Sequence, residues 1–322
     1  MNKKIIIITG DPNSINSEII FKTWKKLDKR TKKKIYLIGS YDLINKQFKT
    51  LKLKIDVLKI KDLNEEESSN KLKILDVPLK FKNPFRVVRN NAAKYVIQSL
   101  DLADKLAKKK EVKGIINCPI NKNLLKSSNK IGVTEYFAYK CKIFDGSEVM
   151  MIYNKKLSVV PLTTHINIKN VSKIINKQLI IRKLVSLNYN FKKIFKTKPK
   201  IGILGLNPHN AEMRTNSEEV IKIIPAISVL KKKGINIKGP LVGDTVFINN
   251  YKRFDVLVGM YHDQVLSPFK TLFHYDAINI TLGLSYIRVS PDHGPASDLI
   301  LKNKGNYLSL FKCVKFINNL NK

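Results

Sequence analysis

Cysteine is scarce. The three thiols, Cys118, Cys141 and Cys313, are far apart and odd in number. They form neither a Cys-x-x-Cys zinc pair nor a disulfide framework, which suits a reducing cytosol and a cytoplasmic protein. Long apolar runs are missing too. None approaches the roughly 20 residues of a membrane span, so no membrane partner is expected. The start, Met1-Asn2-Lys3-Lys4 followed by Ile5 to Ile8, carries the charge of a signal peptide. Its apolar stretch is short and runs into Gly10-Asp11-Pro12, so it reads as a first strand. No Gly-x-Gly-x-x-Gly follows that strand and there is no Walker loop, so a dinucleotide would not bind in the ordinary Rossmann way.

Acidic residues are few: 25 against 60 Lys and Arg, a formal net charge of +35. Counterion release could hold such a chain to polyanions. The lysines, however, are spread along the whole length, and the clusters Lys32–Lys34, Lys108–Lys110 and Lys231–Lys233 fall at expected helix ends, where cations suit the dipole and solvent. No nucleic-acid reading motif accompanies them, so a solvated basic surface is expected rather than a specific nucleic-acid interface.

What is present is an alternation. Apolar strand-like runs at 4–9, 34–39, 114–117, 149–153, 157–162, 201–204, 255–259 and 279–283 are interleaved with helical patterns at 15–27, 88–108, 171–188, 217–232 and 308–320. Short strands and a mobile 64–70 loop are expected between 49 and 82. With 322 residues, 43% of them hydrophobic, this predicts an α/β fold of two lobes around a largely parallel, doubly wound sheet.

Three of the five histidines follow apolar strands: His165 after Val159–Thr164, His209 after Ile201–Pro208, and His262 after Asp255–Tyr261. Open α/β sheets build their sites at such carboxyl ends. A single His there is more often a structural hydrogen-bonder. Jointly, with Thr164, Asn210 and Asp263 beside them as orienting groups, the three suit a divalent ion. Lys270, Asn279 and Arg288 follow at intervals of eight or nine residues from His262. An ion with Lys, Asn and Arg would suit a small, multiply anionic substrate.

The segments Ile8-Thr9-Gly10-Asp11-Pro12, Pro119-Ile120-Asn121-Lys122, Thr134-Glu135, Thr163-Thr164-His165 and Gly205-Leu206-Asn207-Pro208-His209 make a pattern. It continues through Gly239-Pro240-Leu241 with Asp244-Thr245, Met260-Tyr261-His262-Asp263-Gln264, Asn279–Gly283 and Asp292-His293-Gly294. In this order they resemble the 4-hydroxythreonine-4-phosphate dehydrogenase family of vitamin B6 biosynthesis, over nearly the whole chain. The resemblance implies a two-lobed α/β/α fold of the isocitrate and isopropylmalate dehydrogenase type, with approximate lobes 1–130 plus 290–322, and 131–289. It implies metal ligation by His165, His209 and His262 in a site shared across a homodimer, with zinc, magnesium or cobalt as the ion. It implies substrate binding by Thr134, Lys270, Asn279 and Arg288, and NAD or NADP as oxidant. Lys270 or Asp244 would move the hydroxyl proton, unless a water does so.

Three departures stand out. Val133 replaces the family's His before Thr134. Ala211-Glu212-Met213-Arg214 replaces Gly-Glu-Gly-Gly after His209. Pro295 replaces Thr after Gly294. Loss of a phosphate donor at Val133 keeps a second substrate open, a phosphorylated four-carbon sugar acid. A metal-dependent hydrolase also uses three histidines and is the rival reaction class.

Overall fold

Ile5 to Ile8 are β-branched, uninterrupted by polar residues, and 0–3% exposed. A run buried on both faces belongs in the middle of a parallel sheet, and burying each such side chain stabilises by about 1.5–3 kcal/mol. The computed structural model describes residues 3–65, 71–128 and 132–320. Residues 66–70 of the expected loop lie outside them.

The chain first forms β1 (Lys4–Ile8), α1 (Asn16–Lys26), α2 (Lys29–Lys32), β2 (Ile35–Gly39), α3 (Tyr41–Thr50), β3 (Val57–Ile60) and β4 (Leu72–Asp76). Then come α4 (Arg89–Ala107), β5 (Val112–Asn117), α5 (Val133–Lys140), β6 (Val149–Tyr153), β7 (Ser158–Thr163), α6 (Val171–Ile174) and α7 (Lys177–Phe195). Next are β8 (Ile201–Leu204), α8 (Ile224–Lys232), β9 (Ile237–Leu241), α9 (Gly243–Val246), β10 (Val256–Tyr261) and α10 (His262–Phe273). The last are β11 (Ile278–Leu282), β12 (Arg288–Pro291) and α11 (Leu308–Asn319). Among the described residues no helix is long and apolar enough to cross a membrane.

Two compact units result: 1–141 with 285–322, and 142–284. In the first, strands run β3-β4-β2-β1-β5-β12, every pair parallel. In the second, the order is β11-β6-β7-β10-β8-β9. There β6 is antiparallel to both neighbours, and the pairs from β7 onward are parallel. A division at 131–289 would put α5 and Arg288 in the second unit. They belong to the first, because β12 pairs with β5 and α5 packs beside the 122–128 turn.

Local chemistry explains the other differences from the sequence reading. The helix expected over 171–188 breaks at Asn176, whose side chain accepts the Leu179 N–H at 2.9 Å and caps α7, which then runs on to Phe195. The helix expected over 217–232 opens with a π-helical turn over Glu219–Ile223, because Pro225 has no N–H for the regular ladder. His262-Asp263-Gln264, expected at the carboxyl end of a strand, forms the first turn of α10, which starts directly after β10. Val265, Leu266 and Phe269 of that helix are buried against Val159 and Leu257 in the core of the second unit.

Candidate functional site

Strands β7, β10 and β8 are adjacent and parallel, so their carboxyl ends lie along one edge of the second unit's sheet. His165 follows β7, His262 follows β10 and His209 follows β8. Thr163 and Tyr261 are register partners, and Thr163 Oγ1 donates to the Met260 carbonyl at 2.7 Å, tying the first two strand ends together. The imidazoles of His165 and His262 come within 5.9 Å, centroid to centroid. Asp263 Oδ1 lies 2.7 Å from His262 Nδ1. A carboxylate only accepts, so Nδ1–H donates and Nε2 is the nitrogen left to bind an ion.

His209 is held differently. Pro208–Met213 forms a turn in which five consecutive non-glycine residues, His209 to Met213, have φ between 49° and 58°. Such a run is rare for L-residues, at roughly 1–2 kcal/mol each. It persists because its surroundings are pinned. Fully buried Glu219 accepts the N–H groups of Leu206 at 2.7 Å and Asn207 at 2.8 Å through Oε1. Buried Asn210 donates Nδ2 to the Pro240 carbonyl at 3.2 Å. Among the described residues, no three His, Cys, Asp or Glu side chains of one chain gather as a metal-binding group. His165 and His262 lie together, and among the described residues no third such ligand joins them. Two imidazoles, one oriented by a carboxylate, fit a borderline divalent ion.

The remaining candidates of this unit fall on separate elements. Lys270 is exposed in the last turn of α10, and Asp244 is exposed in the first turn of α9. Asn279 is half-buried on β11, and its Oδ1 is a buried oxygen with no hydrogen-bond partner. Such an atom costs stability unless water, an ion or a ligand meets its need.

In the first unit, Arg288 opens β12 and is 2% exposed. Its Nε donates to Asn117 Oδ1 at 2.7 Å and its Nη1 to Thr134 Oγ1 at 3.3 Å, with the guanidinium carbon 5.9 Å from the Phe137 ring centroid. Burial pushes Arg288 down to about 10, partly offset by the Glu135 carboxylate, so it remains a cation at neutral pH. Thr134 and Val133 sit in the first turn of α5, where Gly132 provides no side-chain cap. Lys122 is pulled below its ordinary range by burial, with Glu135 acting against that. Lys130, close to Val133 in sequence, lies outside the described residues.

Thus Arg288 and Thr134 are brought together, as are His165 and His262. Sequence reasoning missed Asn117 and Glu219. Asn117 carried a usable signal, since it is the polar last residue of a buried strand, like those that precede the histidines.

A family model described as "Pyridoxal phosphate biosynthetic protein PdxA" matches residues 31–317. The 4-hydroxythreonine-4-phosphate dehydrogenase of Aquifex aeolicus (strain VF5) is 38% identical, covering 99% of both chains. The D-threonate 4-phosphate dehydrogenase of Pectobacterium atrosepticum is 31% identical, covering 94% of this chain and 95% of that one. The crystal structure of 4-hydroxythreonine-4-phosphate dehydrogenase from Klebsiella pneumoniae superposes with a TM-score of 0.84 at 28% identity, over 98% of this chain and 97% of that one. Isocitrate dehydrogenase from Methylococcus capsulatus, at 10% identity and a TM-score of 0.50 over 98% of this chain and 84% of that one, shares the fold alone. Matched along most of its length by the family model and end to end by a relative of this identity, the chain belongs to the pyridoxal phosphate biosynthetic protein PdxA family.

Proposed function

We propose that this protein is a 4-hydroxythreonine-4-phosphate dehydrogenase. It would oxidise and decarboxylate 4-phosphohydroxy-L-threonine to 3-amino-2-oxopropyl phosphate in vitamin B6 biosynthesis, with NAD or NADP as oxidant. The observation that carries the reading is the His165–His262 pair at adjacent strand ends, in a chain 38% identical over its length to an enzyme of that name. When bound, a nicotinamide supplies the hydride acceptor, and a divalent ion of the zinc, magnesium or cobalt kind supplies polarisation of the alcohol.

The chain's own residues do the rest. His165 and His262 would hold the ion, with Asp263 fixing the His262 tautomer. His209 would complete the set from a second copy in a homodimer, since among the described residues no third ligand joins the other two within one chain. Buried Arg288, with Thr134 beside it, offers charge-assisted donors to a substrate anion. Lys270 adds a second cation, and Asn279 an oxygen that can accept from the substrate. The substrate hydroxyl lies on the carbon beta to its carboxylate, so hydride and proton removal give a β-keto acid, whose carboxyl carbon leaves as carbon dioxide. Lys270 or Asp244 would take the hydroxyl proton.

Purified protein with this substrate, NAD or NADP, and a panel of divalent metals tests the reading. Reduced nicotinamide should appear with carbon dioxide in equal amounts. A second reading, D-threonate 4-phosphate as substrate, is favoured by Val133, which takes an expected phosphate donor out of the first turn of α5, and by the Pectobacterium relative. The ratio of kcat/KM for the two phosphates decides between them.

A further inference from the structure

Arg288 stands opposite Ile115 in the parallel pairing of β12 with β5, and Val289 stands opposite Ile116. Side chains two apart on a strand share a face, so Asn117 lies on the same face as Arg288, one step further along. Both are almost wholly buried, at 3% and 2% exposure. The amide of Asn117 is not free to turn. Its Nδ2 donates to the Cys118 carbonyl at 3.3 Å, which directs Oδ1 at Arg288 Nε, 2.7 Å away. Reversing the amide would set its N–H against the Nε–H of the arginine.

The guanidinium is a rigid planar fork, and two contacts at different ends of it define its plane. Asn117 Oδ1 takes one end and Thr134 Oγ1 the other. Both acceptors are neutral. Neither brings a charge of its own to the guanidinium, as a carboxylate in place of Asn117 would, and the Glu135 carboxylate supports its cationic form.

We infer that Asn117 is a positioning residue for the reaction: its amide oxygen sets the plane in which Arg288 presents its charge to the substrate anion. This rests on the reading of Arg288 as a substrate-anion group, and the test separates the two. Kinetics with 4-hydroxythreonine-4-phosphate and thermal melting are measured for Asn117→Asp, Asn117→Leu and Arg288→Ala. Arg288→Ala should lose kcat/KM by at least about tenfold. Asn117→Asp keeps the acceptor for Arg288 but loses the Nδ2–H that donates to the Cys118 carbonyl, so kcat should hold and the melting temperature fall slightly while KM rises about tenfold, because the added carboxylate offsets the charge of the arginine. Asn117→Leu keeps the volume without the acceptor, and its kcat should fall about tenfold or more well below its melting range. That loss should be rescued by Asp at the same position. Wild-type kcat and KM in both Asn117 variants, with Arg288→Ala impaired, would overturn the inference alone. Wild-type kinetics in Arg288→Ala would overturn it together with the reading beneath it. If Asn117→Leu does not fold, Asn117→Asp still decides, and an unchanged KM there counts against the proposal.

Discussion

Glu219 holds Asn207 with both carboxylate oxygens: Oε1 accepts the backbone N–H at 2.8 Å and Oε2 accepts the side-chain Nδ2–H at 3.0 Å. The same carboxylate takes the Leu206 N–H, so one buried acid shapes the approach to His209. Burial pushes this carboxyl up, but the donors from Asn207 and Leu206 outweigh burial and leave it below the ordinary glutamate range. A group with a depressed native pKa adds stability above its unfolded pKa, and that stability is lost as pH falls through the native value. Wild-type protein should therefore lose stability below about pH 4.3, the ordinary glutamate value. Glu219→Gln should lower stability at pH 7 by about 1.5–3 kcal/mol and flatten this part of the acid limb. Urea melts from pH 3 to 7 check both, and an unchanged slope in the variant would show that other carboxylates carry the acid response.

The left-handed turn after His209 makes a second prediction. Ala211 and Met213, at φ of 49° and 58°, stand where the family pattern has glycine. Glycine has no Cβ to clash in this region, though it costs more unfolded-state entropy. Ala211→Gly and Met213→Gly should each stabilise the protein by about 0.5–1 kcal/mol net, read as a higher urea midpoint at unchanged m-value.

Much of this was legible beforehand, and its limits are physical. The strands of Ile5–Ile8 and Val256–Gly259 announce themselves because sheet interiors admit little besides apolar, β-branched side chains. The histidine placement followed from the strand-end rule. The partner of Arg288 did not, since Asn117 is 171 positions away and only the β5–β12 register brings the two together. Glu219, in the run Glu218-Glu219-Val220, reads as a solvent-facing first-turn acid. Its burial depends on orphaned backbone donors of another segment, which leave no mark in local sequence. Helix α3 went unnoticed although Ser40 caps it, accepting the Leu43 N–H at 3.3 Å, because lysine and asparagine dilute its apolar stripe.

The metal reading predicts a graded series. His165→Ala, His209→Ala and His262→Ala should each abolish tight divalent-ion binding and turnover with the fold intact. Asp263→Ala, which loses only the group orienting His262, should weaken binding by about 10–100-fold. Competition against a fluorescent chelator reads this without any need for activity. Full turnover of His209→Ala in the presence of chelator would sink the three-histidine site.

Site cations and surface cations should separate. Arg288→Ala and Lys270→Ala should lower kcat/KM by about 1.5–3 kcal/mol in transition-state terms. Lys108 pairs with Asp104 at 2.7 Å while remaining half exposed. Lys108→Ala should leave kinetics alone and cost at most about 1 kcal/mol of stability. Equal kinetic effects at all three positions would mean that general charge had been mistaken for a site.

Val133→His tests the substrate. With the phosphate of 4-phosphohydroxy-threonine at the first turn of α5, an added donor should lower KM by about tenfold. A KM that does not improve, with metal bound and the fold unchanged, would favour a pocket reshaped for a different phosphate.

The interrupted first unit has a consequence for how the protein is made. Residues 142–284 are contiguous and can collapse while the chain is still leaving the ribosome, whereas the first unit's sheet waits for β12 and α11. Until then the β5 edge is an open ladder of hydrogen-bonding groups, the kind of surface on which nascent chains mispair. The arginine proposed to bind substrate arrives on the strand that closes that edge. A chain stalled or cut before Arg288 thus lacks both the guanidinium and the β12 strand that covers β5, so that completing the sheet and acquiring the proposed anion site would be one event in biosynthesis.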